Sequence, residues 1–203
     1  MEIPVRQDEH PPLRPVVEQR VVHRSGPFEV VAQRVRSEGG DVHERTSIRH
    51  PGAVCVLPIL ETPTGPHAVL VRNERHAIDR WLDELPAGGI EPGEEPAQAA
   101  LRELREETGY EAATVVPLGW FYSSPGLTNE RMELFVATGL RHVGQDLDDG
   151  ELLTVHPVPV GVLFDRIDSG DLPDGKSMLC LLLARQMGYV TDRPCPSSPP
   201  NRE

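Results

Sequence analysis

At 203 residues, with 38% apolar and 26% charged side chains, the chain has the size and composition of one soluble, globular domain with a real core. A formal charge of −12 argues against a general nucleic-acid binder, which would carry a basic face, and it makes a cation welcome between this protein and any anionic ligand. No apolar run has the length of a membrane span; Leu179 to Ala184 reads as a short piece of buried helix.

The first residues alternate charges with Pro4, Pro11, Pro12 and Pro15, without the apolar stretch of a secretory signal. Residues 1–25 are therefore expected to be a flexible segment, and the proline-crowded 191–203 a disordered tail. Phe28 to Val35 alternates apolar residues, and Glu38-Gly39-Gly40-Asp41 is a turn signal, so residues 26–50 are expected to form a β-hairpin with Val42 to Ile48 as its return strand. Ala53 to Leu60 is nearly all apolar and reads as a buried strand; a turn at Pro63 to Pro66 leads to its neighbour, Ala68 to Arg72. Further strands are expected at Val115 to Tyr122, Arg131 to Leu140 and Leu152 to Val160. A helix is expected from Pro96 to Thr108, with proline in its first turn and Gly109 as its C-terminal cap. A shorter one fits Pro159 to Ser169, and another Ser177 to Met187, closed by Gly188. Strands mixed with helices, without a regular βαβ alternation, indicate an α/β sandwich on a mixed sheet. Cys55, Cys180 and Cys195 form no CxxC pair and leave one thiol over in any disulfide scheme, which suits reduced thiols in the cytoplasm and no thiolate metal site.

The Pro96 to Thr108 helix carries the chemistry. At about 100° per residue, Ala97, Ala100, Leu101, Leu104 and Thr108 gather on the packing side. Glu103, Glu106 and Glu107 fall on an adjacent stripe, while Arg102 and Arg105 point elsewhere on the wheel. Like charges at i+3 and i+4 cost about a few tenths of a kcal/mol per pair. An acidic helix face is ordinarily a solvated one. Converging carboxylates, however, are what hard cations such as Mg²⁺ or Mn²⁺ require.

The register around these glutamates decides between the two readings. Gly88 is followed at set intervals by Glu94, Arg102-Glu103-Leu104, Glu106-Glu107 and Gly109-Tyr110. This run resembles the Nudix box, G-x5-E-x7-R-E-U-x-E-E-x-G-U with U a bulky apolar residue, and every fixed position is filled. The resemblance implies the Nudix fold, an α/β/α sandwich with a mixed sheet, over residues 51–190 and preceded by a small N-terminal antiparallel sheet. It makes Glu103 and Glu107 the principal metal ligands, with the Ala87 carbonyl, and sets Glu106 beside them. Arg102 would orient a glutamate, with Glu106 the expected partner, and Glu94 would brace the loop. Gly88 and Gly89 would let backbone groups approach a phosphate and a metal closely.

The similarity reaches from about Val42 to Arg185 and extends to ADP-ribose pyrophosphatases. Trp81-Leu82-Asp83-Glu84-Leu85-Pro86-Ala87-Gly88 resembles their approach to the box, and Val71-Arg72-Asn73-Glu74-Arg75 a strand bearing a substrate arginine, matched by Arg75. Arg49 and Glu130 are further candidate substrate contacts. Ser124-Pro125-Gly126 stands where that subfamily has a proline, and Asp148-Asp149-Gly150-Glu151 resembles the loop that delivers a catalytic glutamate, matched by Glu151. One departure concerns adenine: in the N-terminal region Phe28 is the lone aromatic, with His43 near a usual tryptophan position. Trp81 and Trp120 are candidates for stacking, though such residues are more often core.

The implied reaction is Mg²⁺-dependent cleavage of ADP-ribose, or a related nucleoside diphosphate sugar, to AMP and ribose 5-phosphate. Glu151 is the first choice of general base and Glu106 the second. A homodimer built through the N-terminal hairpin is also implied, with neither nucleic acid nor membrane as partner. A GDP-sugar, NADH or a coenzyme A derivative is the alternative substrate. A non-catalytic nucleotide sensor is the rival from another class, and it would be expected to have lost box carboxylates that are present here.

Overall fold

The computed structural model describes residues 13–147 and 153–191. The chain divides into two units, Met1–His50 with Ser124–Asn129, and Pro51–Ser123 with Glu130–Glu203.

In the first unit, β1 (Val16–Ser25), β2 (Phe28–Arg36) and β3 (Val42–Arg49) form an antiparallel sheet in that order. The β2–β3 hairpin is the expected one, its turn closed by Ser37 N–H donating to Asp41 O at 2.7 Å. Strand β1 corrects the expectation that residues 1–25 lack regular structure. Pro4, Pro11, Pro12 and Pro15 all precede it, and from Val16 its backbone pairs with β2. The strand is exposed along its whole length, so no burial alternates and no period-two signal marks it in the sequence. Cross-strand partners hold the register: Arg34 with Glu18 at 2.9 Å and Gln33 with Gln19 at 2.8 Å. Segment 124–129 joins this unit through Ile48 N–H, which donates to Leu127 O at 2.8 Å.

The second unit is built around β4 (Ala53–Thr62). It pairs antiparallel with β5 (Gly65–Arg75) and parallel with β9 (Arg131–His142); β9 pairs with β8 (Tyr110–Tyr122), and β5 with β10 (Thr154–Pro159). Two short strands complete a mixed, seven-stranded sheet: β6 (Arg80–Glu84) beside β5 and β7 (Ala87–Gly89) beside β4. Strand β4 reads as a continuous apolar run because both its faces are covered. Val54 and Val56 pack with Ala99, Ala100 and Leu104 of α1 (Pro96–Thr108). Cys55, Leu57 and Ile59 pack on the opposite face with α2 (Val160–Ser169) and α3 (Gly175–Gln186). The result is an α/β/α sandwich. Burial of Leu104 alone contributes about 1.5–3 kcal/mol.

Several boundaries differ from expectation. Strand β8 begins five residues before Val115, because the chain leaves the Gly109 cap already paired, Tyr110 opposite His142. Helix α3 starts before Ser177, where the Asp174 carboxylate accepts the Ser177 N–H at 3.2 Å. Strand β10 is described from Thr154; Leu152 of its expected span lies outside the described residues. Of the expected packing face of α1, Ala97 and Leu101 are only half-buried, and Ala99 lies fully inside instead.

Candidate functional site

The start and stop of α1 fix the geometry of its glutamates. Pro96 occupies the first turn, where its missing N–H costs nothing, and Gly109 ends the helix at φ 72° with its N–H on Arg105 O at 2.9 Å. A Cβ at Gly109 would also lie 2.7 Å from the Gly144 carbonyl carbon, so conformation and space both demand glycine there. The close approach is useful. Gln145 Nε2 donates to Glu107 O at 2.6 Å and Asp146 N–H to Glu106 O at 3.1 Å, so segment 143–146 satisfies the last carbonyls of the helix.

Farther back along the same helix, Glu103 meets Gly88. A Cβ on Gly88 would sit 2.1 Å from the Glu103 carboxyl carbon. Glu107, buried in spite of its charge, accepts the Ala87 N–H at 3.0 Å. Strand β7 is itself held by β4, with Gly88 opposite Val54 and Ala87 opposite Cys55. The helix, the box glycine and its preceding residue are thereby locked together.

Arg102 does not point away from the acidic stripe, as the helical wheel suggests. Its Nε and Nη2 donate to the two oxygens of Glu94 at 3.0 Å each, and Nη2 also donates to Gly89 O at 2.8 Å. Nη1 donates to Glu103 at 2.7 Å and Glu106 at 3.0 Å. A long side chain reaches what its Cβ direction does not, and the repulsion among the glutamates supplies the incentive. The hydrogen bonds from Arg102 hold the Glu94 carboxyl below the usual glutamate range against the opposing effect of burial, with the Glu91 N–H adding to the lowering. The hydrogen bonds to Glu94, then Glu103 and Glu106, raise Arg102 well above the ordinary arginine value in spite of its partial burial. Glu94 also accepts the Glu91 N–H at 3.0 Å, so its carboxylate ties the loop before α1 to Arg102.

The three glutamates do not converge on a single point. Among the described residues, no three acidic, histidine or cysteine side chains form one cluster ready for a cation. The arginine bridges Glu103 and Glu106 instead, and Glu107 is turned toward the backbone of Ala87. In chemistry the set still fits a hard divalent cation: carboxylate oxygens from Glu103, Glu106 and Glu107 beside the carbonyl of Ala87, with glycine leaving space where Glu103 meets β7.

The outer candidates divide. Arg75, at the end of β5, makes a side-on pair with Glu84: Nε to Oε1 at 2.8 Å and Nη2 to Oε2 at 2.6 Å. Glu130 accepts from Ser123 Oγ, and its carbonyl from Ser123 N–H at 3.1 Å, at the base of the Ser124–Asn129 loop. Arg49 belongs to the N-terminal unit and pairs with Glu29 across β2 and β3 at 2.5 Å. Phe28 packs beside His50 with ring centroids 5.0 Å apart. Glu151, with Asp148 and Asp149, lies outside the described residues. Trp81 and Trp120, the candidates for stacking whose alternative place was the core, are 49% and 48% exposed. The Arg131 guanidinium stands 4.3 Å over the Trp120 ring.

One group of residues escaped the sequence reading. Glu84, only 2% exposed, also accepts from Lys176 Nζ, which donates in turn to Asp174 at 2.9 Å. Ser177 Oγ donates to Asp174 and accepts the Leu85 N–H at 2.7 Å. Burial works against the Glu84 anion, but the hydrogen bonds from Arg75 and the charge of Lys176 outweigh it and hold its carboxyl below the usual range. The available signal was a glutamate embedded in Leu82-Asp83-Glu84-Leu85 just before the Pro-Ala-Gly-Gly run that leads into the box.

A family profile described as "NUDIX domain" matches residues 49–177. ADP-ribose pyrophosphatase of Bacillus subtilis (strain 168) is 34% identical over 152 residues, 74% of this chain and 80% of that protein. ADP-ribose pyrophosphatase of Mycobacterium tuberculosis (strain ATCC 25618 / H37Rv) is 30% identical over 183 residues, covering 88% and 87% of the two chains. Among solved structures, the crystal structure of an ADP compounds hydrolase superposes with a TM-score of 0.75 at 24% identity, over 87% of this chain and 97% of its own.

Proposed function

The chain belongs to the Nudix family, and from that premise we propose that it hydrolyses the pyrophosphate linkage of ADP-ribose, or of a closely related nucleoside diphosphate sugar, to AMP and ribose 5-phosphate. The observation that carries this reading is the box itself: Glu103 against Gly88, Glu107 on Ala87 N–H, and Arg102 bridging Glu94, Glu103 and Glu106. The names of the relatives direct it to ADP-ribose.

Glu103 and Glu107, with the Ala87 carbonyl and Glu106 beside them, would hold a divalent metal, Mg²⁺ by preference and Mn²⁺ as substitute. When bound, such an ion neutralises the diphosphate, lowers the pKa of an attacking water and stabilises the leaving oxygen. Arg102, donating to Glu103 and Glu106 from one nitrogen, offsets the repulsion between them. Arg75 contacts the diphosphate, with Arg49 and Glu130 as further substrate contacts. Glu151 takes the proton from the attacking water, and Glu106 is the second choice. The support for Glu151 is the resemblance of Asp148-Asp149-Gly150-Glu151 to the loop that delivers a catalytic glutamate. Three intact box carboxylates favour catalysis over a sensor that only binds.

Residues 51–190 constitute the catalytic domain on this reading, and the three-stranded sheet serves to pair with a second copy. The exposed valines of edge strand β1, Val16, Val17, Val21 and Val22, suit such pairing. A monomeric mass by light scattering, with full activity at nanomolar enzyme, would dismiss the dimer. Cys55 and Cys180 are buried thiols, in keeping with a reducing, cytoplasmic setting. No helix among the described residues is long and apolar enough to cross a membrane.

The test is a substrate panel of ADP-ribose, GDP-mannose, NADH and coenzyme A, each with Mg²⁺ and with Mn²⁺. Phosphatase-coupled phosphate release reports cleavage. Preference for ADP-ribose with strict metal dependence is expected; faster release from another compound would reassign the substrate, and no release from any would return the sensor.

A further inference from the structure

We propose that Lys176 is a positioning residue for diphosphate binding, acting through Glu84 on Arg75. The proposal rests on the reading of Arg75 as a diphosphate contact. Its warrant is a chain of ionic contacts through the buried Glu84 that nothing in the box requires.

Glu84 closes β6 with its side chain 2% exposed. Its Oε1 accepts from Arg75 Nε at 2.8 Å; its Oε2 accepts from Arg75 Nη2 at 2.6 Å and from Lys176 Nζ. Lys176 is in turn fixed by Asp174 at 2.9 Å, and the same Asp174 oxygen caps α3 by accepting Ser177 N–H at 3.2 Å. Two carboxylates and two cations balance, so no net charge is left buried. Removing the lysine would leave two anions facing one arginine.

The geometry gives this quartet a task beyond stability. A side-on pair uses Nε and Nη2 of the guanidinium and fixes its plane, while both N–H groups of Nη1 lie outside the pair. Lys176 fixes the plane of the carboxylate that does this. An anion meeting Arg75 then finds donors already oriented, which lowers the ordering cost of binding. The lysine is 12% exposed and its ammonium is taken up by Glu84 and Asp174, so on this proposal it acts through its partners. Loss of such an interaction, made equally in the ground and transition states, raises KM and leaves kcat in place.

The experiment compares wild type with Lys176→Met, Lys176→Gln, Lys176→Arg, Arg75→Ala and the Arg75→Ala/Lys176→Met double variant. Steady-state kinetics with ADP-ribose, calorimetric titration with inorganic pyrophosphate and thermal unfolding are measured for each. Lys176→Met and Lys176→Gln should raise KM about tenfold with kcat within about threefold, weaken pyrophosphate by a similar factor, and be largely rescued in Lys176→Arg. In the Arg75→Ala background the same change should add less than about threefold, since coupled residues are not additive. The glutamine variant keeps a polar group at the site and serves if the methionine variant does not fold. Unchanged KM and pyrophosphate affinity in the folded variants would overturn the proposal. So would a fall in kcat that tracks unfolding temperature and persists undiminished without Arg75, the mark of a merely structural lysine. Pyrophosphate binding separates the two levels: weakened binding in an enzyme inert toward ADP-ribose would reject the substrate and keep the positioning role.

Discussion

The carboxylate of Glu103 occupies the space that a side chain on Gly88 would need, with an ideal Cβ falling 2.1 Å from its carboxyl carbon. The glycine is therefore required by the catalytic helix as much as by the loop that contains it. Gly88→Ala must push the flexible end of Glu103 aside, and a side-chain end can give way where backbone could not. Turnover is expected to fall about 10²-fold through misplacement of this carboxylate, with an unfolding temperature close to wild type. Full activity in Gly88→Ala would show that Glu103 works from another position.

Glu103→Gln and Glu107→Gln test the metal-binding role directly. A neutral amide is a poor ligand for a hard cation, and loss of several kcal/mol of charge stabilisation corresponds to more than about 10²-fold in rate. Glu107→Gln can still accept the Ala87 N–H through its amide oxygen, so the β7 contact and the fold should persist. Circular dichroism checks the fold, and rates at saturating Mg²⁺ check the chemistry. Near-normal rates in both variants would dispose of these ligands.

Glu151 and Glu106 are distinguished by how each defect responds to metal. If Glu151 is the base, Glu151→Gln should lower kcat by about 10² to 10⁴ with little change in metal requirement. Glu106→Gln, which removes a carboxylate paired with Arg102 at 3.0 Å, should have a defect that varies with metal concentration. Asp148→Asn and Asp149→Asn, made alongside, show whether a neighbour substitutes in part. Wild-type turnover in Glu151→Gln, with Glu106→Gln dead at every metal concentration, places the base on the helix.

Glu84 should make stability depend on acid. Despite its burial, the Arg75 hydrogen bonds and the Lys176 charge hold its folded-state pKa below the ordinary glutamate value. Its contribution is therefore present above the unfolded-state pKa and is lost as pH falls through the lower, folded-state one. Glu84→Gln leaves the buried Lys176 and the part-exposed Arg75 short of an anion and should cost about 1–3 kcal/mol near neutral pH. In urea unfolding, the gap between variant and wild type should shrink as pH drops below the ordinary glutamate range. A gap that stays constant down to strong acid would contradict the assignment.

Sequence alone determined the parts that depend on local spacing. The Gly88 to Tyr110 register, the α1 boundaries set by Pro96 and Gly109, the hairpin turn before Val42 and the doubly buried β4 could all be read from residue order. Each follows from a constraint that acts within a few residues: helical period, proline and glycine conformation, apolar continuity. Tertiary structure decided the rest. Strand β1 exists because β2 offers it a backbone ladder, which leaves no hydrophobic pattern in a fully exposed strand. Arg102 joins Glu94, Glu103 and Glu106 although its wheel position points away, because a long cation moves toward neighbouring anions. The quartet of Arg75, Glu84, Asp174 and Lys176 is drawn from positions as much as 101 residues apart, from Arg75 to Lys176. Only the packing of α3 against the central sheet brings those charges together, and burial then makes each depend on the others.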